Sequence, residues 1–275
     1  MKFGIFGSAQ AKRGGPDTDS GAGFRDFVEL NVEAEALGFM SSFLVEHHFT
    51  GFGQVSATLN LLTWVGARTT TLRLGTAVMA APIRSPVVLA KQAATLDVLA
   101  GGRLTLGLGS GWLPEEFEAV GVPIEERMPR LEEAVEVLRT LWREPVASFD
   151  GRFTRFKDVV SSPKPPRGTI PIVMGGRTPA GARRAGRLGD GFFPTGRDPA
   201  GLGELFTIAR RAAEDAGRDP AGLELIAGGA RDASGAEALI ALGVTHIVTS
   251  TRAPGPADLP ASLEAYRRKV IDPLG

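Results

Sequence analysis

Two of the chain's three histidines stand side by side, His47 and His48, directly after Glu46 and where the apolar run Ser42-Phe43-Leu44-Val45 gives out. Imidazole titrates nearest neutrality, so this one turn concentrates proton-transfer capacity. The run is short and apolar enough for a buried strand, and Phe49-Thr50-Gly51-Phe52-Gly53 is too rich in glycine and aromatics to prolong it. A carboxylate and two imidazoles at the exit of a core strand look like an active-site edge. Neighbouring side chains on a strand point to opposite faces, so at most one ring faces a common crater if strand geometry persists. A second cluster, Gly175-Gly176-Arg177-Thr178-Pro179, follows another apolar run and opens a helical stretch over 180–188. Backbone N–H groups, a hydroxyl, a guanidinium and the positive end of a helix dipole are the ingredients of a phosphate site. A plain turn with a helix cap has the same composition.

Other chemistries are disfavoured by what is missing. The remaining histidine, His246, sits at the start of an apolar run, the wrong end for a metal site shared with His47 and His48, and reads as structural. Lys2, Lys91, Lys157, Lys164 and Lys269 fall at strand starts, in helices or in a hairpin, which leaves only loop-borne Lys12 for Schiff-base chemistry. The sequence has no cysteine, which removes disulfides and thiolate chemistry and fits a reducing, cytoplasmic setting. Basic and acidic residues number 31 each, so no global positive field is available to hold nucleic acid or an anionic membrane surface. The first residues do not read as a signal peptide, and no apolar run approaches the ~20 residues of a spanning helix.

The elements that must position these groups follow a rhythm of short apolar run, glycine-rich or polar turn, amphipathic stretch and closing glycine, the grammar of βα units. Eight strands are expected, at 2–6, 42–45, 72–78, 104–108, 170–174, 191–194, 223–227 and 246–249. Gly38, Gly101, Gly189, Gly217 and Gly243 are expected to close the helices in left-handed conformations. The clearest helix starts near Glu125 and turns Met128, Leu131, Val135, Leu138 and Leu141 to one side. The first strand lacks a G-x-G-x-x-G turn after it, so a (β/α)8 TIM barrel is a better reading than a doubly wound sheet. Phe149-Asp150-Gly151-Arg152-Phe153 marks a β-hairpin excursion before the fifth strand, and residues 1–275 are read as a single domain, with Ala253-Pro254-Gly255-Pro256 a stiff turn into the last helix. In such barrels chemistry gathers at the carboxyl ends of strands. That filter retains Glu46, His47, His48, Ala77, Val78, Gly109, Ser110, Gly111, Trp112, Gly175, Gly176, Arg177, Thr178 and Thr195. So many small residues around one crater suit a flat or phosphorylated ligand.

Taken in order, Met1-Lys2-Phe3-Gly4, Ala36-Leu37-Gly38-Phe39, Glu46-His47-His48-Phe49-Thr50-Gly51-Phe52-Gly53, Leu74-Gly75-Thr76-Ala77-Val78, Gly101-Gly102-Arg103-Leu104-Thr105-Leu106-Gly107 and Arg187-Leu188-Gly189-Asp190-Gly191 resemble the bacterial luciferase-like flavin oxidoreductases over most of the chain. The resemblance implies a TIM barrel that holds FMN, or the deazaflavin coenzyme F-420, at its strand ends. It places His47 beside the reactive ring edge for proton transfer or stabilisation of an oxygen adduct, with Glu46 orienting it or a neighbouring group. It implies a non-prolyl cis peptide at Ala77-Val78 behind the ring, and the cofactor phosphate on Gly175, Gly176, Arg177 and Thr178. The segment from Gly107 to Phe117 looks like members that use the deazaflavin or act on small organic substrates, and Ser110 stands where luciferase carries an arginine, so light emission is not implied. Little room is left after the seventh strand for the long loop of luciferase subunits.

Three readings follow. The first is a monooxygenase that uses reduced FMN, supplied by a separate flavin reductase as partner, with dioxygen on a small organic substrate. The second is hydride transfer with the deazaflavin coenzyme and no oxygen. The third is a non-catalytic flavin-binding protein. A homodimer is expected from the resemblance, with Leu59, Leu61, Leu62 and Trp64 either at the subunit interface or packed on the barrel.

Overall fold

The computed structural model describes residues 1–7, 21–49, 57–194, 199–250 and 258–275. The expectations placed on Lys12, on 50–53, on Thr195 and on 253–256 lie outside them. Eight parallel strands, β1 (Lys2–Gly7), β2 (Ser41–Leu44), β3 (Arg73–Thr76), β5 (Leu104–Gly109), β8 (Ile172–Gly176), β9 (Gly191–Pro194), β10 (Glu224–Gly228) and β11 (His246–Ser250), close into a barrel. β1 lies between β11 and β2, and the circle is completed by β3 pairing with β5 and β5 with β8. The two-residue strand β4 (Met79–Ala80) continues the third strand beside β5 after a break at Ala77 and Val78, where the peptide bond is cis. Helices α1 (Ala22–Ala36), α2 (Thr58–Arg68), α3 (Pro86–Leu99), α4 (Pro114–Ala119), α5 (Arg127–Arg143), α6 (Pro179–Leu188), α7 (Pro199–Asp215), α8 (Ala233–Ala241) and α9 (Leu259–Tyr266) connect or follow the strands.

Local chemistry explains the boundaries. Ser85 and Thr178 cap α3 and α6 by accepting from Val88 N and Gly181 N, each followed by a proline whose missing N–H costs nothing in a first turn. The expected amphipathic helix is α5, preceded by a 3-10 turn at Ile124–Glu126; it buries Leu131, Val135, Leu138 and Leu141. The hairpin is β6 (Ala147–Asp150) with β7 (Arg155–Val159), its Phe149 and Phe156 rings stacked at 6.0 Å. Of the glycines expected to close helices by a positive φ, Gly38, Gly101, Gly217 and Gly243 do so, but Gly189 sits at φ −88. What Gly189 supplies is space: a Cβ there would lie 2.8 Å from both Gly191 O and Met174 Cγ. Leu59, Leu61 and Leu62 are buried within the chain itself, and of that group only Trp64 is exposed.

The barrel interior is layered. At the amino-terminal end Arg73 forks onto Glu224 at 2.7 and 2.6 Å and donates to Thr105, and Lys2 reaches the same carboxylate at 3.0 Å. His246, wholly buried, bonds Ser41 Oγ through Nε2 at 2.7 Å and brings Nδ1 to 3.4 Å from Glu224. Gly4 lies between them on β1, and a Cβ there would lie 2.0 Å from Ser41 Oγ. Above this comes an apolar layer of Phe43, Ala77, Val173, Phe193, Ile226 and Val248, with Phe6 against it. The carboxyl-terminal mouth lies above that.

Candidate active site

All barrel strands run the same way, so His47, Ala77, Val78, Ser110 and the 175–178 turn emerge at one end. β2 stops at Leu44, and 45–48 continue without regular structure, which frees both imidazoles from strict alternation. The His47 ring is 21% exposed. It packs perpendicular to Trp112, ring centroids 6.0 Å apart at 87°. Its Nδ1 lies 3.3 Å from Glu116 Oε1, and the same oxygen accepts from the His48 backbone N–H at 2.6 Å. The Glu116 side chain is 3% exposed, whereas Glu115 beside it in the first turn of α4 faces solvent.

Glu46 turns inward, with its side chain fully enclosed. Its carboxylate accepts from Thr58 Oγ1 at 3.0 Å, Ala80 N at 3.0 Å and both terminal nitrogens of Arg84 at 2.8 and 3.0 Å, and its Oε1 is 3.0 Å from His48 Nε2. Burial alone would raise its pKa, but the bonds from His48 and Arg84 outweigh that and hold it below the ordinary carboxylate range. Of the two groups the sequence left open for Glu46 to orient, the neighbour His48 is the one it touches. Arg84 also donates to Ala80 O, tying the turn after β4 to this carboxylate. On its outer side Arg84 lines a cleft of about 470 Å³ with Pro82, Val122, Arg130 and Phe153, which includes none of the strand-end residues named above.

The floor of the mouth is built by Val78. The break in the third strand lays this side chain across the next two barrel strands: a Cβ on Gly109 would come 2.5 Å from Val78 Cγ2, and one on Gly175 2.9 Å from the same atom. Ala77 N is held by Leu44 O at 2.8 Å. Next to Gly175, Gly176 closes on Gly181 so tightly that a Cβ would sit 3.3 Å from its Cα. Thr178 spends its hydroxyl on Gly181 N at 3.2 Å, and the Ala180 N–H in that first turn has no intrahelical acceptor. Arg177 is exposed at the lip, and Ser110 is half-buried with its hydroxyl 3.2 Å from Gly111 O. The donor set of orphan amide, helix dipole and guanidinium, beside a shelf of backbone and small side chains, fits a flat phosphorylated cofactor.

Glu116, Arg84 and Thr58 were not assigned roles from sequence. Glu116 is one of two consecutive glutamates, and only the helix phase set by Phe117, which is buried, separates the inward one from the outward.

A closed parallel barrel with ionisable groups and a phosphate-type cradle at its carboxyl-terminal mouth is the design of the TIM-barrel enzymes. Residues 1–238 match the luciferase-like monooxygenase family, and the chain belongs to that family of oxidoreductases. An F420-dependent glucose-6-phosphate dehydrogenase from Mycobacterium avium is 39% identical over 180 residues, covering 62% of this chain and 53% of its own, so the match spans about half the length of that relative. Among solved structures, the monooxygenase RslO1 from Streptomyces bottropensis superposes with a TM-score of 0.86 at 24% identity over 100% of both chains. An F420-dependent secondary alcohol dehydrogenase in complex with an F420-acetone adduct does so at 0.84 with 19% identity over 98% of both. At these identities the two structures speak for the fold alone. Among the described residues no helix is long and apolar enough to cross a membrane, and no group of three or more His, Cys, Asp or Glu could hold a metal ion.

Proposed function

We propose that the protein is a deazaflavin-dependent oxidoreductase that moves a hydride between coenzyme F-420 and a small organic alcohol or carbonyl compound. The observation that carries it is His47, a part-exposed imidazole that leaves the barrel at the same end as the 175–178 cradle and the Val78 shelf. Similarity to an F420-dependent dehydrogenase supports the choice of coenzyme. When bound, the deazaflavin supplies two-electron chemistry, because carbon at its reactive centre accepts and returns hydride while oxygen adducts are unproductive.

The residues of this chain have separate tasks. Gly175, Gly176, Arg177 and Thr178 hold the phosphate, and Ala77, Val78 and Ser110 back the ring. His47 Nε2 takes the proton of a substrate hydroxyl as the carbonyl forms, or returns it in the reverse direction. Glu46, fully enclosed, acts through what it binds: it fixes His48 and, through Arg84 and Ala80 N, the strand end that carries Val78.

A second reading, oxygenation with reduced FMN delivered by a partner reductase, is supported by the match to the luciferase-like monooxygenase family. Titrating the protein with oxidised and reduced forms of both coenzymes, followed by absorbance and tryptophan quenching, separates the two. Tight binding of the deazaflavin with weak FMN binding is expected; tight reduced-FMN binding with substrate-dependent oxygen uptake overturns the hydride reading.

A further inference from the structure

We infer that Glu116 is the positioning residue that sets which nitrogen of His47 carries the proton. The inference rests on the proton-transfer role proposed for His47, and extends it to a residue on a different element. Three observations converge on it. The Glu116 side chain is almost wholly enclosed, and its Oε1 is committed to partners within the protein. Oxygen Oε1 faces His47 Nδ1 at 3.3 Å and accepts the His48 backbone N–H at 2.6 Å, so one atom fixes both the ring and the chain that bears it. Trp112, four residues earlier in the segment between β5 and α4, packs perpendicular to the ring with centroids 6.0 Å apart, so the imidazole is contacted by both the indole and the first turn of α4.

An ionised carboxylate only accepts hydrogen bonds, so the neutral imidazole facing it keeps its proton on Nδ1 and leaves the lone pair on Nε2. A ring in the other tautomer would present an N–H there and could not take a hydroxyl proton. A carboxylate behind a catalytic imidazole is a recurrent way of fixing tautomer and orientation, and wrong-tautomer variants lose orders of magnitude in rate while keeping their geometry. The arrangement also couples position to protonation, because displacing Glu116 releases the His48 amide and the ring together.

The test reads the proton directly. The full chain labelled with 15N-histidine has only three imidazoles to assign, and His47→Ala identifies the relevant signals. At about pH 8, above the ordinary histidine range, the wild type is expected to show His47 protonated at Nδ1, with or without F-420 bound. Glu116→Gln places an amide that can donate toward Nδ1, and is expected to move the proton to Nε2; Glu116→Ala gives a mixture. Turnover in Glu116→Gln is expected to fall at least tenfold with the KM for F-420 within about twofold, and Glu116→Asp to recover part of it. An unchanged His47 tautomer in Glu116→Gln, or an Nε2–H ring in the wild type, overturns the inference. Because the tautomer is measured without turnover, failure of F-420 to bind counts against the proposed function alone. If Glu116→Ala does not fold, the Gln and Asp variants suffice.

Discussion

The two ends of the barrel carry the same three residue types in the same kind of contact. At the amino-terminal end Glu224 is held by Arg73 and lies beside His246; at the mouth Glu46 is held by Arg84 and lies beside His48. In both, burial pushes the carboxyl pKa up, and the hydrogen bonds and charges of the histidine and arginine pull it further down. Both carboxylates are committed to several donors and His246 is sealed, while His48, 11% exposed, keeps its Nε2 on Glu46. What differs is the neighbour. The mouth adds one imidazole outside the cluster, His47, with part of its ring in the open and a second carboxylate behind it. A buried Glu-Arg-His constellation is therefore a girder in this fold, and the proposed proton transfer falls to the residue the girder leaves accessible.

The comparison can be broken hardest at Glu224. Glu224→Gln leaves the Arg73 guanidinium inside the barrel without its counter-charge, and is expected to cost about 3–5 kcal/mol of stability in urea unfolding. Turnover per folded molecule should be unchanged; a loss under about 1 kcal/mol would show that this end is no girder. His47→Ala should do the reverse. Stability is expected to stay within about 0.5 kcal/mol and coenzyme affinity within a few fold, while turnover drops by roughly 10²-fold. An unchanged rate removes His47 from the mechanism.

The smallest effect is a pH slope. Burial keeps the pKa of His246 below its ordinary 6.5, with Glu224 only partly compensating. As pH falls through about 6.5 the unfolded chain binds a proton that the folded chain refuses, so stability present above that pH declines below it. The slope is at most about 1.4 kcal/mol per pH unit. Unfolding midpoints at pH 7 and 5.5 should differ in the wild type and converge in His246→Gln. The depressed carboxyls Glu46 and Glu224 add a separate loss that begins only as pH falls through about 4.5.

The barrel was legible because every strand is a short apolar run and every βα unit is punctuated, so periodicity and glycine placement carry the topology without knowledge of contacts. The third strand shows where that stops. The pattern over 72–78, Leu72-Arg73-Leu74-Gly75-Thr76-Ala77-Val78, gives no sign that pairing breaks after Thr76 and resumes at Met79; only the family resemblance, which implied the cis peptide at Ala77-Val78, pointed there. At the mouth, residue types at strand exits pointed to His47 and the 175–178 turn, but they could not say which carboxylate meets which imidazole. Glu46 precedes His47 in sequence yet bonds His48, while His47 meets Glu116 from 69 residues away. Such pairings depend on how the irregular exit segment turns, and no local pattern encodes that. Asp190 teaches the same caution in reverse: this member of a family motif accepts from Ile172 N and pairs with Arg139 and Arg218, a bracing task far from the mouth.

Val78 lying across Gly109 and Gly175 carries an evolutionary corollary. Any larger residue at either glycine collides with that valine, so the shelf cannot be carved deeper or raised by ordinary point changes. Descendants of this chain that acquire new substrates are expected to change the rim, where Trp112 stands in solvent, and to keep the proposed coenzyme bed.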